Sequence, residues 1–226
     1  KRHGALAVEA YRDMGLLPEA LRNYLLRLGW SHGDEEIIPT AKAIEWFDLD
    51  HVGRSPSRFD MVKMTNLNAH YLREADDARL AAMVGERLRG QGMTVDAVAE
   101  DRLLRGMNGL KQRAKTLIDL AESASFYAKT RPLQFDDKAA KVLAGEGRAR
   151  LAVVKAALTS AAASWSAGVL EGLVRDAASA GGTKLGDLAQ PLRAALTGTT
   201  MSPPIFEVLE ILGHDESIAR IDDALR

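Results

Sequence analysis

Cysteine is absent from this chain of 226 residues. That absence excludes disulfide bonds, thiolate metal sites and cysteine nucleophiles, and it fits the reducing cytosol. Long apolar runs are missing too, because no stretch approaches the roughly 20 residues that a membrane-spanning helix needs. No signal peptide is visible. We therefore expect a cytoplasmic protein that makes no contact with a membrane.

Neither sign of charge dominates, since the formal net charge is −1. Dedicated nucleic-acid binders are often strongly basic, so this total argues mildly against RNA. The distribution argues the other way, because the run RLLRGMNGLKQRAK over residues 102–115 contains basic residues and no acidic residue. Both a solvated helix face and an RNA-binding patch are compatible with this run.

Motifs of a self-contained active site are lacking. The chain has no dinucleotide-binding fingerprint, no phosphate-binding loop and no GxSxG nucleophile elbow. Its five histidines are not paired with carboxylates at metal-ligand spacing, so we interpret them as surface or capping residues. We interpret the acidic cluster at 34–36 as part of a solvated loop. We expect no metal site.

The chain does contain many residues that typically start or end helices. In PEALRNYLLRLG, Pro18 stands at the first helical turn, where its missing N–H costs nothing, and Gly29 is predicted to end the helix in a left-handed conformation. The helical spacing of the apolar residues predicts one buried face; its members are Leu21, Tyr24, Leu25 and Leu28.

Further helices are predicted along the rest of the chain. Their ranges are 39–47, 76–90, 94–107, 110–129, an alanine-rich stretch over 137–180 broken at Gly145 and Gly147, 184–196, 203–213 and 216–225. A short extended segment is predicted near Phe59. No convincing hairpin or long alternating run is present, so we expect a mainly α fold. From the residues alone, an RNA-binding appendage of an enzyme and a helical interaction scaffold both remain open.

Four segments together resemble the bacterial glutamyl-tRNA synthetases, a family of class I aminoacyl-tRNA synthetases. GLLPEALRNYL over residues 15–25 fits the family segment G-x-L-P-E-A-L-R-N-Y-L almost letter for letter. RFDMVKMTNLN over 58–68 is similar to R-F-D-x-x-K-L-x-W-[LM]-N, although Asn66 replaces the usual tryptophan. KLGDLAQPLRAALTG and PPIFEVLEILG are similar to the C-terminal signature, and all four segments follow the family's order.

The resemblance implies a tRNA stem-contact helical domain over residues 1–73, followed by two all-helical anticodon-binding subdomains over 74–125 and 126–226. Lys1 and Arg2 would be the last residues of the family's mobile signature loop, in which Lys1 helps to hold the ATP phosphates. We therefore expect the catalytic half of the enzyme to be cut away. ATP and Mg²⁺ would then serve the full-length ligase, and the fragment itself would be neither catalytic nor dependent on a cofactor.

The resemblance also implies roles for individual residues. Arg113 would read the third anticodon base, Arg193 would lie near the first, and Lys111 and Lys115 would contact the tRNA backbone. In the segment TGTTMSPPIF, a hydroxyl, a rigid turn and an apolar surface against the anticodon bases would come from Ser202, Pro203 and Ile205. A plain helix start remains open for Ser202 and Pro203, as does a place in the core for Ile205.

The implied function is the binding and selection of tRNA(Glu) by part of a glutamate–tRNA ligase, with no role for DNA and with a monomeric state. Because the family's discriminating members have arginine at the position of Arg113, we expect tRNA(Glu) to be preferred over tRNA(Gln). Two alternatives are a non-discriminating ligase that also charges tRNA(Gln), and a helical protein–protein scaffold of synthetase ancestry.

Overall fold

The computed structural model describes residues 7–54, 57–159 and 164–226. These residues form α-helices and one short 3-10 turn, with no β-strand among them, which confirms the mainly α fold class. The helices are α1 (Val8–Asp13), α2 (Pro18–Gly29), α3 (Thr40–Trp46), α4 (Met61–Glu74), α5 (Asp77–Gly90), α6 (Ala97–Lys111), α7 (Leu117–Ala124), α8 (Asp137–Leu143), α9 (Glu146–Thr159), α10 (Ala167–Ala180), α11 (Leu185–Thr197), α12 (Ile205–Leu212) and α13 (His214–Leu225), and the 3-10 turn is Ser125–Tyr127. None of the described helices is long and apolar enough to cross a membrane.

Side-chain caps determine where several helices begin. Four helices start after an aspartate whose carboxylate accepts hydrogen bonds from first-turn amides, and these caps are Asp60, Asp76, Asp96 and Asp136. At the start of α7, Thr116 and Asp119 form a reciprocal capping box. Each cap satisfies an amide that has no partner inside its helix, and it contributes about 1 kcal/mol.

The loop between α1 and α2 docks on the start of α7. The carbonyl of Gly15 accepts a hydrogen bond of 2.8 Å from the amide of Leu117. Gly15 has a φ of +80°, and a Cβ there would lie 2.9 Å from the backbone nitrogens of Leu117 and Ile118. Only glycine combines this backbone conformation with so close an approach.

Asn68, a fully buried residue of α4, joins the first helices to the turn before α7. Its side-chain oxygen accepts a hydrogen bond of 2.7 Å from the amide of Leu17. Its side-chain nitrogen donates one of 2.7 Å to the carbonyl of Lys115. Since buried polar groups are costly unless they are paired, this asparagine fixes the position of the turn that follows α6.

One hydrophobic core runs from Leu16 to Ile221, and every described helix except α1 and α3 contributes buried residues to it. The boundary predicted after residue 73 falls in the last turn of α4, just before the break between α4 and α5. The boundary predicted after residue 125 falls inside the 3-10 turn, where Phe126 and Tyr127 are both buried. The division into three domains therefore remains a prediction about folding units that share a core.

Three expectations about helix ends were wrong. Helix α6 continues to Lys111, and the next helix begins at Leu117 rather than at residue 110, because the capping box at Thr116 starts it. Gly147 lies within α9, and only Gly145 has the positive φ, +55°, of a helix stop. Gly29 is the last residue of α2 and has no positive φ; the helix ends in the extended Trp30.

One further expectation near the start of the chain needs correction. Leu25 is expected on the buried face of α2, but it is 48% exposed, while Leu21 and Tyr24 are buried. The segment near Phe59 is not helical, and Asp60 after it is extended as predicted, although it forms no strand. Within the described ranges, β pairing is limited to one isolated antiparallel bridge between Trp30 and Val52.

Candidate nucleic-acid interface

A cavity of about 530 Å³ lies where α6 and α7 meet the C-terminal helices. This size is within the range of about 300–1,000 Å³ that is typical of ligand pockets. Its walls come from the end of α6, from α7, from the 3-10 turn, from the start of α8 and from the loop after α11. The lining residues used below are Gly109, Arg113, Asp119, Glu122, Lys129, Asp136, Lys138, Ser202 and Pro203.

Arg113 reaches the cavity from the turn between α6 and α7. Its side chain is exposed, and among the described residues no carboxylate pairs with it. The turn itself is held firmly, because the Asp119 carboxylate accepts hydrogen bonds of 3.1 Å from the amide of Lys115 and 3.0 Å from that of Thr116. Arg113 is therefore a free guanidinium on an ordered backbone.

Arg193, on α11, lies half-buried behind the opposite wall. Its Nε donates a hydrogen bond of 3.0 Å to the Ser202 hydroxyl. Burial lowers the pKa of Arg193, and the positive charge of Arg113 lowers it further. The two predicted arginines thus lie close enough for their like charges to interact. In the described part of the chain, no carboxylate pairs with either. Two such cations attract a ligand with negative charge or hydrogen-bond acceptors.

The loop between α11 and α12, residues 198–204, is tied down by its own groups. The Thr199 hydroxyl donates to the carbonyl of Met201 at 2.7 Å, and the Ser202 hydroxyl donates to that of Pro203 at 2.7 Å. Gly198 has a φ of +79°, and a Cβ there would lie 2.6 Å from the carbonyl oxygen of Gln134. The loop is therefore ordered before any ligand arrives.

Ser202 and Pro203 precede α12 and do not start it. The N-cap of α12 is Pro204, without a side-chain cap, and the helix begins at Ile205. Pro203 packs near α6, since a Cβ on Gly109 would lie 3.4 Å from the Cβ of Pro203. Ser202 therefore does not cap the start of α12. Its hydroxyl accepts the hydrogen bond from Arg193 instead.

Ile205 lies in the core. It is 3% exposed and belongs to the cluster that joins α10, α11 and α12. An anticodon contact by its side chain would require the core to open, so the structure favours the packing role that the sequence also allowed.

Lys111, expected at the tRNA backbone, also points inward. It is 8% exposed, its ammonium lies 2.7 Å from the Asp77 carboxylate, and it donates a hydrogen bond of 2.9 Å to the carbonyl of Ala75. Lys115, by contrast, is exposed and has no ion pair among the described residues. Of the two lysines, only Lys115 is placed for a phosphate contact.

Only part of the basic run of residues 102–115 is available for binding at the protein surface. Arg102 donates a hydrogen bond of 3.3 Å to the carbonyl of Leu212, and Arg105 donates one of 3.3 Å to that of Glu210. These arginines, like Lys111, hold α6 to its neighbours. Arg105 stays 45% exposed but is paired with Asp101. Among the described residues, the exposed charges of the run without an ion pair are Arg113 and Lys115, beside the cavity.

Sequence reasoning missed Glu122, Lys129 and Lys138, which line the cavity from other elements. It also missed Arg220, whose buried guanidinium donates hydrogen bonds of 3.0 Å to the carbonyl of Phe126 and 2.6 Å to that of Leu196. Arg220 thereby joins the 3-10 turn to the end of α11, two walls of the cavity. No local sequence signal marks these residues, because only the tertiary fold brings them together.

A second cavity, of about 910 Å³, lies in the first part of the chain. Basic side chains at its edge are Arg27, Arg58, Lys63 and His70, alongside the acidic Glu36 and Asp60. Lys1 lies outside the described residues. Within the described ranges, no group of three or more histidine, aspartate or glutamate side chains is arranged to hold a metal ion.

Two family models match the chain. The model described as "Anticodon binding domain" matches residues 69–225, and the model described as "tRNA synthetases class I (E and Q), catalytic domain" matches residues 1–66. The first match contains every residue of the 530 Å³ cavity. The second ends within α4, which contains most of the RFDMVKMTNLN segment.

Similar proteins and structures agree with these matches. The chain is 58% identical over 229 residues to glutamate–tRNA ligase 2 of Paramagnetospirillum magneticum, covering 100% of this chain and 47% of that protein. It is 56% identical over 225 residues to glutamate–tRNA ligase 2 of Rhodospirillum rubrum, covering 99% of this chain and 48% of that protein. The chain thus spans about half the length of the curated relatives that it matches.

The fold is also similar to that of a solved structure, a glutamate tRNA ligase from Elizabethkingia meningosepticum in complex with its amino acid. The TM-score is 0.81 at 28% sequence identity, with 95% of this chain and 42% of that chain covered.

Proposed function

The chain belongs to the anticodon-binding-domain family, and on that premise we propose that it is the tRNA-recognising half of a glutamate–tRNA ligase. The observation that carries the proposal is the cavity between α6 and the loop after α11. It joins a free guanidinium, an ordered hydroxyl-rich loop and a rigid proline at one place. Single-stranded RNA is recognised in this way, by pockets that test the edges of unstacked bases.

Within this site we propose that Arg113 reads the third anticodon base. A planar guanidinium can donate two hydrogen bonds to one base edge, which gives geometric as well as electrostatic selectivity. Arg193 and Ser202 would act at the first base, and Pro203 would keep the loop in shape. Lys115 would contact a phosphate, whereas Lys111 and Ile205 would support the fold.

The first part of the chain would contact a stem of the tRNA, and the basic edge of the 910 Å³ cavity supports that assignment. ATP, Mg²⁺ and glutamate would be used by the whole ligase, and Lys1 is the residue of this chain that the resemblance relates to ATP. We propose a cytoplasmic location, because tRNA charging serves cytoplasmic translation, and we propose that the protein is a monomer.

The test is equilibrium binding of a tRNA(Glu) transcript to the 226-residue chain at several salt concentrations. Phosphate contacts release counterions, so log K should fall linearly with log salt, with a slope of about −2 or steeper for about three contacts. Nuclease protection should include the anticodon loop. A helical protein–protein scaffold would show no saturable binding of tRNA at any salt concentration, and that result would overturn the proposal.

A further inference from the structure

The 530 Å³ cavity holds a free carboxylate as well as a free guanidinium. Glu122, near the end of α7, lines it together with Arg113, and both residues are exposed. Among the described residues, the Glu122 carboxylate has no hydrogen bond or ion pair, and no salt bridge joins it to Arg113. The site thus presents an acceptor group and a donor group that do not satisfy each other.

The other two carboxylates of the cavity are already occupied. Asp119 accepts from the amides of Lys115 and Thr116 as part of the capping box. Asp136 caps α8 by accepting a hydrogen bond of 2.7 Å from the amide of Ala139. Glu122 caps nothing, because Ser125 bonds its backbone carbonyl and not its side chain. Its carboxylate is therefore the one in this lining that is free for a ligand.

The chemistry of the two groups restricts the ligand. A guanidinium only donates hydrogen bonds, and an ionised carboxylate only accepts them. The Watson–Crick edge of cytosine offers a donor, the N4 amine, beside two acceptors, N3 and O2. Uracil has an acceptor, O4, in place of the amine. Guanine carries its acceptor and donors in the reverse order along the edge, so in the same orientation it would set O6 against the carboxylate.

We propose that Glu122 is a specificity-determining residue that accepts a hydrogen bond from the N4 amine of an unpaired cytosine, while Arg113 donates to N3 and O2. The inference rests on the proposed function, in which the third anticodon base of tRNA(Glu) is cytosine and that of tRNA(Gln) is guanine. Arg113 then provides attraction, and Glu122 provides rejection of bases that bring an oxygen to its position. Specificity commonly needs such a repulsive element.

The experiment uses anticodon-stem hairpins that differ only at the third anticodon base, with cytosine, uracil or guanine there. Their affinities for the wild-type chain, Glu122→Gln and Glu86→Gln are measured at one fixed salt concentration. Glu86 is an exposed residue of α5 outside the cavity lining. Its substitution removes the same charge and corrects for the general gain in RNA affinity.

Wild type and Glu86→Gln should prefer cytosine over uracil and guanine by about tenfold. Glu122→Gln should lower both preferences to about threefold or less, because the glutamine amide can turn to donate to O4 or O6. An unchanged preference in Glu122→Gln would overturn the inference and leave the proposed function standing. Failure of the wild-type chain to bind any hairpin would instead overturn the proposed function.

A second measurement changes the RNA and leaves the protein intact. A hairpin whose cytosine lacks the N4 amine, with hydrogen in its place, should bind the wild-type chain about tenfold more weakly. Glu122→Ala should bind both hairpins equally, since the partner of the amine is already gone. Equal binding of the two hairpins by the wild-type chain would show that no group reads the amine.

Discussion

The ammonium of Lys111 lies 2.7 Å from the carboxylate of Asp77, and this contact joins the end of α6 to the start of α5. The same ammonium donates a hydrogen bond to the carbonyl of Ala75, at the break between α4 and α5. A residue in the middle of a basic run thus serves as a structural brace. In the described structure it does not belong to the exposed surface that a nucleic acid would meet.

Lys111→Ala should therefore lower stability rather than weaken RNA binding directly. Removing one partner leaves the Ala75 carbonyl and the Asp77 carboxylate without their cation, and we expect a loss of about 2 kcal/mol in the free energy of unfolding. Urea denaturation measures it. The matched change Lys115→Ala, at an exposed site, should stay within about 0.5 kcal/mol of the wild-type chain. Equal stability of both variants would show that the Lys111 contact contributes nothing.

For tRNA binding, we expect Lys115→Ala to have the larger effect and Lys111→Ala the smaller one. Lys115→Ala should reduce tRNA affinity and make the salt dependence shallower by nearly one phosphate contact, about 0.7–0.9 in slope. Lys111→Ala, measured at a temperature where it is folded, should keep the wild-type slope. A shallower salt dependence of tRNA affinity in Lys111→Ala, but not in Lys115→Ala, would show that Lys111 contacts the tRNA backbone after all.

Packing between α6 and the 3-10 turn offers a second test of stability. A Cβ on Gly106 would lie 2.6 Å from the ring of Tyr127, which is 1% exposed. Gly106→Ala should therefore destabilise the chain by about 1–3 kcal/mol through overpacking. Gly172→Ala is the control, because a Cβ at this helical position meets nothing within 4 Å, and better helix propensity should stabilise it by up to about 1 kcal/mol. Thermal unfolding of both variants measures these changes in stability. A Gly106→Ala chain as stable as the wild type would show that the Tyr127 ring moves aside freely.

Local rules predicted most of the helices, because proline starts, apolar periodicity and glycine stops all depend on neighbours in the chain. They placed α2, α3, α5, α12 and α13 close to their observed ranges. The end of α6 was predicted at residue 107, before the observed Lys111, and α7 was predicted to begin at 110, because only the capping box at Thr116 marks the start of α7. Burial of Lys111 depends on Asp77, a partner distant in the sequence, so a basic run read locally suggests exposure.

The candidate site was predicted by resemblance and not by periodicity. Arg113, Ser202 and Pro203 do converge on one cavity, with Arg193 directly behind it. Ile205 was included because the resemblance of its segment implies an apolar surface there, but on the first turn of α12 its side chain is buried in the core. No local sequence signal marks Glu122 or Arg220. Glu122 matters because the fold leaves its carboxylate unpaired in the cavity lining, and Arg220 matters because it joins the 3-10 turn to the end of α11.

Catalysis is expected to be absent from this polypeptide alone. The resemblance relates only Lys1 of this sequence to the family's ATP site, and the chain spans about half the length of the curated relatives that it matches. Glutamate-dependent exchange between ATP and pyrophosphate should remain at background with the purified 226-residue chain. A chain carrying Lys1→Ala provides the comparison. Exchange above background that Lys1→Ala abolishes would show that the polypeptide forms an adenylate by itself.

Arg113→Gln should reduce the preference for tRNA(Glu) over tRNA(Gln). A specific base contact is worth about 1–3 kcal/mol, which corresponds to about 5- to 150-fold in affinity. Arg175→Gln, at an exposed residue of α10 that does not line the cavity, removes the same charge and should keep the wild-type preference. The measurement is a pair of dissociation constants for each variant at one salt concentration. Equal weakening of both tRNAs by Arg113→Gln would show that Arg113 holds a phosphate and reads no base.

The role of Arg193 can be separated into charge and geometry. Arg193→Lys keeps the positive charge but loses the Nε donor that holds the Ser202 hydroxyl at 3.0 Å, and an ammonium cannot reproduce the planar fork. We therefore expect tRNA affinity to fall about five- to tenfold with little change in the salt slope. Ser202→Ala should cause a similar fall, and the double variant should be no worse than either single one, because both changes release the same contact.

Arg175→Lys supplies the control for Arg193→Lys. Arg175 lies on α10, pairs with Glu171 one turn away and does not line the cavity, so its substitution should leave tRNA affinity unchanged. Hairpins that vary the first anticodon base complete the test. The loss in Arg193→Lys should be larger for the preferred base than for the others if the Arg193–Ser202 pair shapes a base pocket. Additive losses in the double variant, uniform across all first bases, would instead mean that Arg193 and Ser202 act separately and that neither discriminates at that position.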